Sequence, residues 1–329
     1  MVAVRPILKR GMLVAAANWQ VTAIQSAADS IFKLLIAVPT VGGVVFLALV
    51  IGAEPEGLLT MDTRDLLATI VAALLSQPLV LAAFGLSLAI VVGGGSAFMF
   101  LVKGGTIAAL VESERLPVPV PEHDDPHDPL AHLAAAATFG IDRYFEDCRR
   151  YFWRYLRLGL LLLGVYAVSA GLFLAAGVAV AEAGSLAAGA ALSAGFVAWV
   201  TLVNLGYLLV QIVIVAEERQ VLESVQHVAR AARSEWRNIA AIFVVVLAIV
   251  AAGTVVSLVA MAALGLIGFV PLFGLTVLPL QLAAWLFRAL VFEFIELSAV
   301  GAYASRFRAV REATTPVAMT AAQPHTADA

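Results

Sequence analysis

The chain has 329 residues, of which 62% are hydrophobic and only 13% charged, with a net charge of −3 at pH 7. An average soluble domain carries roughly 25% charged residues, so this chain lacks the polar groups to cover a water-facing surface. Its single cysteine, Cys148, excludes an intrachain disulfide framework.

The start, MVAVRPILKRGMLVAAANWQ, is basic, but its apolar stretch Met12 to Ala17 is too short for a signal-peptide core. Insertion is therefore expected to rely on the spans themselves. Six apolar runs follow: about Lys33 to Ala53, Leu79 to Val102, Leu158 to Ala181, Leu192 to Ala216, Ile239 to Gly265 and Val277 to Ala302. Each is long enough to cross a ~30 Å hydrocarbon core at about 1.5 Å per helical residue. Uninterrupted apolar runs cannot alternate as barrel strands must, so the spans are helices. Leu66 to Gln77, stopped by Pro78, and Leu272 to Leu280 around Pro279 are short and read as interfacial or re-entrant pieces.

Orientation follows the lysines and arginines. All of them except Arg64 and Arg288 fall on one side of a six-span arrangement. That side is the cytoplasm, and both termini lie there. The first outer loop is acidic, with Glu54, Glu56, Asp62 and Asp65. Residues 1–312 form one polytopic membrane domain. Residues 116–136 read as a flexible cytoplasmic loop, and 313–329 as a disordered tail.

Two cytoplasmic segments preceding spans share a design. Ile141, Tyr144, Phe145, Cys148, Tyr151, Phe152, Tyr155 and Leu156 fall on one helical face, opposite a charged one. Val221, Leu222, Val225, Val228, Ala229, Ala232 and Trp236 repeat the pattern. Such helices are expected to lie in the cytoplasmic interface as elbows and then bend into a span. Trp153, Arg154 and Arg157 mark the interface end of the first; Arg233, Trp236 and Arg237 mark that of the second. Leu8, Met12, Ala15 and Trp19 form a weaker third copy. The expected fold is an all-α integral membrane protein of three units, each an elbow helix plus a helical hairpin.

The stretch VIVAEERQVLESVQHVARAARSEWRNIAAIFVVVLAIV resembles the central signature of a broad prokaryotic family of multi-pass proteins. That family includes the membrane domain attached to some glycerophosphodiester phosphodiesterases and many stand-alone members. The ending AVGAYASRFRAVREA is similar to the family's close, and the likeness covers about the last 120 residues. It implies a fold and no activity. The phosphodiesterase belongs to a separate barrel domain of ~250 residues, and the longest soluble stretch here, Gly104 to Arg157, is too short to hold one.

Candidate chemistry is sparse. His123, Asp124, Asp125, His127, Asp128 and His132 offer metal ligands, but Pro126 and Pro129 between them favour an open linker, and no metal or other cofactor is expected. In the sixth span Gln281, Arg288, Glu293, Glu296 and Tyr303 share an arc of about 140°. Glu293 and Glu296 are neighbours one turn apart. In the fourth, Thr201, Asn204, Tyr207 and Gln211 share a face. Polar groups at this depth either fix helix packing or line a pathway. The arginines of the elbows sit beside spans, where anionic phospholipid headgroups, not nucleic acid, are the available partner. The sequence therefore points to a non-enzymatic multi-pass protein of a bacterial inner membrane. It would serve as a scaffold, partner subunit or membrane-organisation factor, with a possible membrane-protein partner. The alternative is a transporter or channel using the polar faces of the fourth and sixth spans.

Overall fold

A computed structural model describes residues 4–51, 78–117, 129–268 and 274–314. Among them the chain is all-helical. The elements are α1 (Val4–Ala17), α2 (Trp19–Ile51), α3 (Pro78–Arg115), α4 (Pro129–Ala136), α5 (Ile141–Glu182), α6 (Leu186–Ala216), α7 (Val221–Gly268) and α8 (Gly274–Thr314). Five of these helices, α2, α3, α5, α6 and α7, are long and apolar enough to cross a membrane. The segment expected as the sixth span lies in α8. The short stretches Leu66 to Gln77 and His123 to Asp128 fall outside the described residues.

The helices form two compact units. One comprises Ile24–Lys103; the other comprises Met1–Ala23 with Gly104–Ala329. In the first, α2 and α3 run as an antiparallel pair in which large side chains meet glycines. Phe32 lies over Gly95, and Phe84 lies over Gly43, so each helix offers one ring and one gap to the other. Ala28, Met99 and Val102 make the buried cluster of this unit, flanked by Ile24 and Phe32.

In the second unit the core sits at the expected cytoplasmic ends of the spans. Leu209 to Val215 of α6 are buried on every side, the mark of a helix end surrounded by others. Farther along, the spans bury little: 11% of the apolar window of α5, 33% of that of α6 and 11% of that of α7. Leu172 and Leu174 of α5, Leu202 of α6 and Val256 of α7 are among the large apolar side chains left exposed.

Three expectations are corrected here. First, α5 does not bend between elbow and span: it is one helix from Ile141 to Glu182. Its buried stripe Tyr144, Cys148, Tyr151, Tyr155, Leu158 and Gly159 runs straight through the junction, so nothing there favours a break. Ile141 and Phe145, expected on that face, are exposed. The expected bend does occur in α7, at Glu235, whose backbone (φ −119°, ψ 18°) is non-helical. There Ser234 turns its hydroxyl back to the Ala231 carbonyl (3.1 Å), and Asn238 donates to the Glu235 carboxylate (2.6 Å). Polar side chains competing for the backbone are a known cause of such kinks.

Second, α1 is not a surface elbow. Its buried residues are Arg10, Gly11, Leu13, Val14, Ala15 and Ala17, while Met12 and Trp19 are exposed. It packs along the C-terminal part of α8, where backbone contact selects small residues over a Leu or Met face.

Third, the loop 116–136 is partly helical. Pro129–Ala136 forms α4, with Leu133 and Ala136 packed against Leu13 and Ala17 of α1. The run LAHLAAA is rich in strong helix formers. Likewise the piece around Pro279 is continuous with α8, with the proline near the start of the helix, where it is best tolerated. α8 also continues to Thr314, two residues into the expected tail.

Candidate functional site: the clustered helix ends

The polar residues expected within the membrane do not form one lining. Thr201 donates to the Val197 carbonyl of its own helix (2.8 Å). Asn204 accepts a short hydrogen bond from the Tyr166 hydroxyl of α5 (2.6 Å), so it serves the α5–α6 hairpin. Gln211 is buried in the core at the α6 end. Its carbonyl accepts from Tyr155 (3.1 Å), and its side-chain nitrogen has no hydrogen-bond partner among the described residues. Arg288 places its guanidinium 5.4 Å from the Phe292 ring, one turn along the same helix. Glu293 is buried, whereas Glu296 is exposed, so the two acids occupy different environments.

The interface residues divide as well. Trp153, Arg157, Arg233, Trp236 and Arg237 are exposed. Arg154 instead donates to the Glu218 carbonyl (2.9 Å). This is one of three arginines gathered on the turn between α6 and α7. Arg115 donates to the Ala216 carbonyl (2.9 Å), and Arg150 pairs with the Glu218 carboxylate (2.8 Å). Glu218 adopts φ +54°, a left-handed conformation that disfavours a side-chain-bearing residue. Cationic groups at a helix C-terminus satisfy its free carbonyls and meet the negative end of its dipole. The turn is thus built as a site for arginine.

A second cluster joins helices far apart in sequence. Glu114, near the end of α3, is buried and stands between Arg10 of α1 and Arg308 of α8. Arg10 Nε donates to Oε2 (2.9 Å), and Arg308 Nη2 lies 3.0 Å from Oε1. Arg10 also reaches the Leu116 carbonyl (2.6 Å), and Arg308 the Glu114 carbonyl (2.6 Å). Close by, Asn18 at the α1–α2 junction is fully buried. Its oxygen accepts from the backbone nitrogens of Thr138 (3.0 Å) and Phe139 (3.1 Å), and its nitrogen donates to Val14 (2.9 Å). Ser113 and Thr138 add bonds to Ala136 (2.5 Å) and Ala109 (3.2 Å). The N-terminus, the α3–α5 connection and the C-terminal helix are locked together.

The third feature is a cleft of about 460 Å³ between the α6–α7 turn, the α7 elbow and the end of α8. Glu217, Arg219, His227, Glu235, Tyr303 and Arg306 supply its polar wall; Ile239, Phe307 and Val310 its apolar one. Arg219 pairs with Glu217 (2.5 Å), and His227 Nε2 lies 3.3 Å from the same carboxylate. Arg306 Nη2 pairs with Glu235. This bond, and the one from Asn238, hold the Glu235 carboxyl below the usual carboxylate range. Burial pushes the Tyr303 hydroxyl upward. Among the described residues no three His, Cys, Asp or Glu side chains come together as a metal site.

Sequence reasoning singled out His227, Tyr303 and Arg154, which lie at these helix ends, but missed Glu114, Asn18 and Gly11. Glu114 carried a signal: it ends a long apolar run, and an acid in that position calls for a partner when buried. The small residues Ser298, Gly301, Ala302 and Ser305 likewise announce a close helix contact. No family model, curated protein or solved structure matches this chain.

Proposed function

We propose that the protein is a six-span, non-enzymatic inner-membrane protein with both ends in the cytoplasm, acting as a scaffold or partner subunit. The observation that carries this reading is the contrast between a locked cytoplasmic end and spans that bury little of their own surface. Helices in lipid associate through packing and interhelical hydrogen bonds. Spans that bury so little keep their flanks available for other membrane helices. Exposed Arg157, Arg233 and Arg237, beside Trp153 and Trp236, are suited to hold anionic phospholipid headgroups.

A photo-crosslinker placed at Leu172, Leu202 or Val256 in cells tests the reading. Discrete, position-dependent protein adducts are expected. Adducts to lipid alone at all three positions would remove it. A transporter is the second reading, favoured by buried Glu293 within the sixth expected span. It predicts a substrate-dependent rise in thermal stability that Glu293→Gln abolishes.

A further inference from the structure

We propose that the cleft between the α6–α7 turn and the end of α8 binds a zwitterionic phosphate ester that carries a primary ammonium group. This goes beyond the scaffold reading and takes from it only the interfacial position of the α7 elbow.

The charge of the wall selects the ligand class. Two arginines, Arg219 and Arg306, and two carboxylates, Glu217 and Glu235, face one space of about 460 Å³, with His227 beside them. That volume lies within the range of roughly 300–1,000 Å³ usual for small-molecule sites. A purely anionic ligand would gain the arginines but be driven against both carboxylates. A cation would meet the reverse. A molecule with a phosphate at one end and an ammonium at the other satisfies both pairs without net charge transfer into the cleft. A primary ammonium donates hydrogen bonds to carboxylates, which a quaternary one cannot.

Geometry adds to charge. Arg306 gives Nη2 to Glu235, while its Nε, buried at the cleft wall, has no acceptor among the described residues. A phosphate oxygen is the acceptor that a guanidinium fork fits best. Ile239, Phe307 and Val310 make the rest of the lining apolar, as the glycerol and upper acyl part of a lipid requires. Trp236, exposed beside Glu235, marks the headgroup level. The same chemistry is available from an aminophospholipid headgroup or from a free aminoalkyl phosphate.

The test uses the full chain in nanodiscs of equal phosphatidylethanolamine and phosphatidylglycerol, with retained lipid read by native mass spectrometry. Phosphatidylethanolamine should be retained preferentially. Arg219→Gln and His227→Gln, at the partly exposed lip, should keep the protein folded. The first should cut the preference by about tenfold, the loss expected for one charge-assisted contact. A parallel arm titrates O-phosphoethanolamine into detergent-purified protein and follows thermal stability. Retention of the lipid assigns the ligand to the membrane. A stability rise with the free compound and no lipid preference assigns it to solution. Preference for phosphatidylglycerol, no preference together with no stabilisation, or a preference unaltered in Arg219→Gln overturns the proposal. None of these results depends on the crosslinking that tests the scaffold reading, so the two fail separately.

Discussion

Gly11 of α1 and Gly301 of α8 meet backbone to backbone: a Cβ on Gly301 would stand 2.9 Å from the Gly11 Cα. A side chain on Gly11 would in turn collide with the Ser298 carbonyl and, at 2.7 Å, with the Ala302 nitrogen. Neither neighbour is a flexible side chain that could move aside. Gly301→Ala should destabilise the protein by about 1–3 kcal/mol, as overpacking of a tight contact does. Thermal unfolding in detergent measures it, with Gly164→Ala, which meets nothing within 4 Å, as the control.

Glu114 should be far more sensitive than its neighbour Glu112. Replacing Glu114 by Gln removes the carboxylate that pairs with both the Arg10 and Arg308 guanidiniums, and Arg10 is buried. Breaking a buried pair from one side costs about 3–5 kcal/mol. Glu112 is partly exposed, and its pair with Arg143 (3.2 Å) is a surface pair worth about 0–1 kcal/mol. Comparable unfolding midpoints for the two Gln variants would contradict the interlock.

Acid should unlatch the α7 elbow. The Glu235 carboxyl, which lies before the span, is held below its usual range by Arg306 and then by Asn238. Protons therefore bind more readily to the unfolded chain. The stabilisation is fully present above the unfolded carboxyl pKa and is lost as pH falls through the folded one. Glu235→Gln should be the less stable protein near neutrality, and the gap should close as the solution is acidified. A gap of constant size from neutral to acid pH would show that this carboxylate titrates normally.

Cys148 should resist modification until the protein unfolds. It is buried, and a Cβ on Gly105 would stand 2.5 Å from its sulfur, so α3 and α5 touch there without a gap. Burial also raises its pKa, which lowers the thiolate fraction. Maleimide labelling of the native protein should be slow and should become fast in denaturant. Rapid native labelling would mean that this contact opens.

The helical class and the presence of several helices long and apolar enough to cross a membrane were legible in the sequence because they follow from local quantities. Apolar run length and the hydrogen-bonding demand of backbone in lipid leave helix as the sole solution. The elbow faces were legible in part. Tyr144, Cys148, Tyr151 and Tyr155 are buried as their spacing indicates, whereas Phe145 on the same arc is not. Periodicity gives the angle of a face, while the width buried depends on what packs against it.

What the sequence determined by itself is this local layer: helices, their approximate ends, and basic residues gathered beside them. Only tertiary structure decided which groups meet. Arg10, Glu114 and Arg308 are separated by more than a hundred and by nearly two hundred positions, and no spacing rule connects them. The interfacial look of α1 was misleading for the same reason. Its glycine allows backbone contact with α8, and that contact, available only once α8 is in place, buries a face that hydropathy alone would leave at the surface. Polar partners in this protein are chosen by the closure of distant helix ends, a free energy that exists only after the chain has folded.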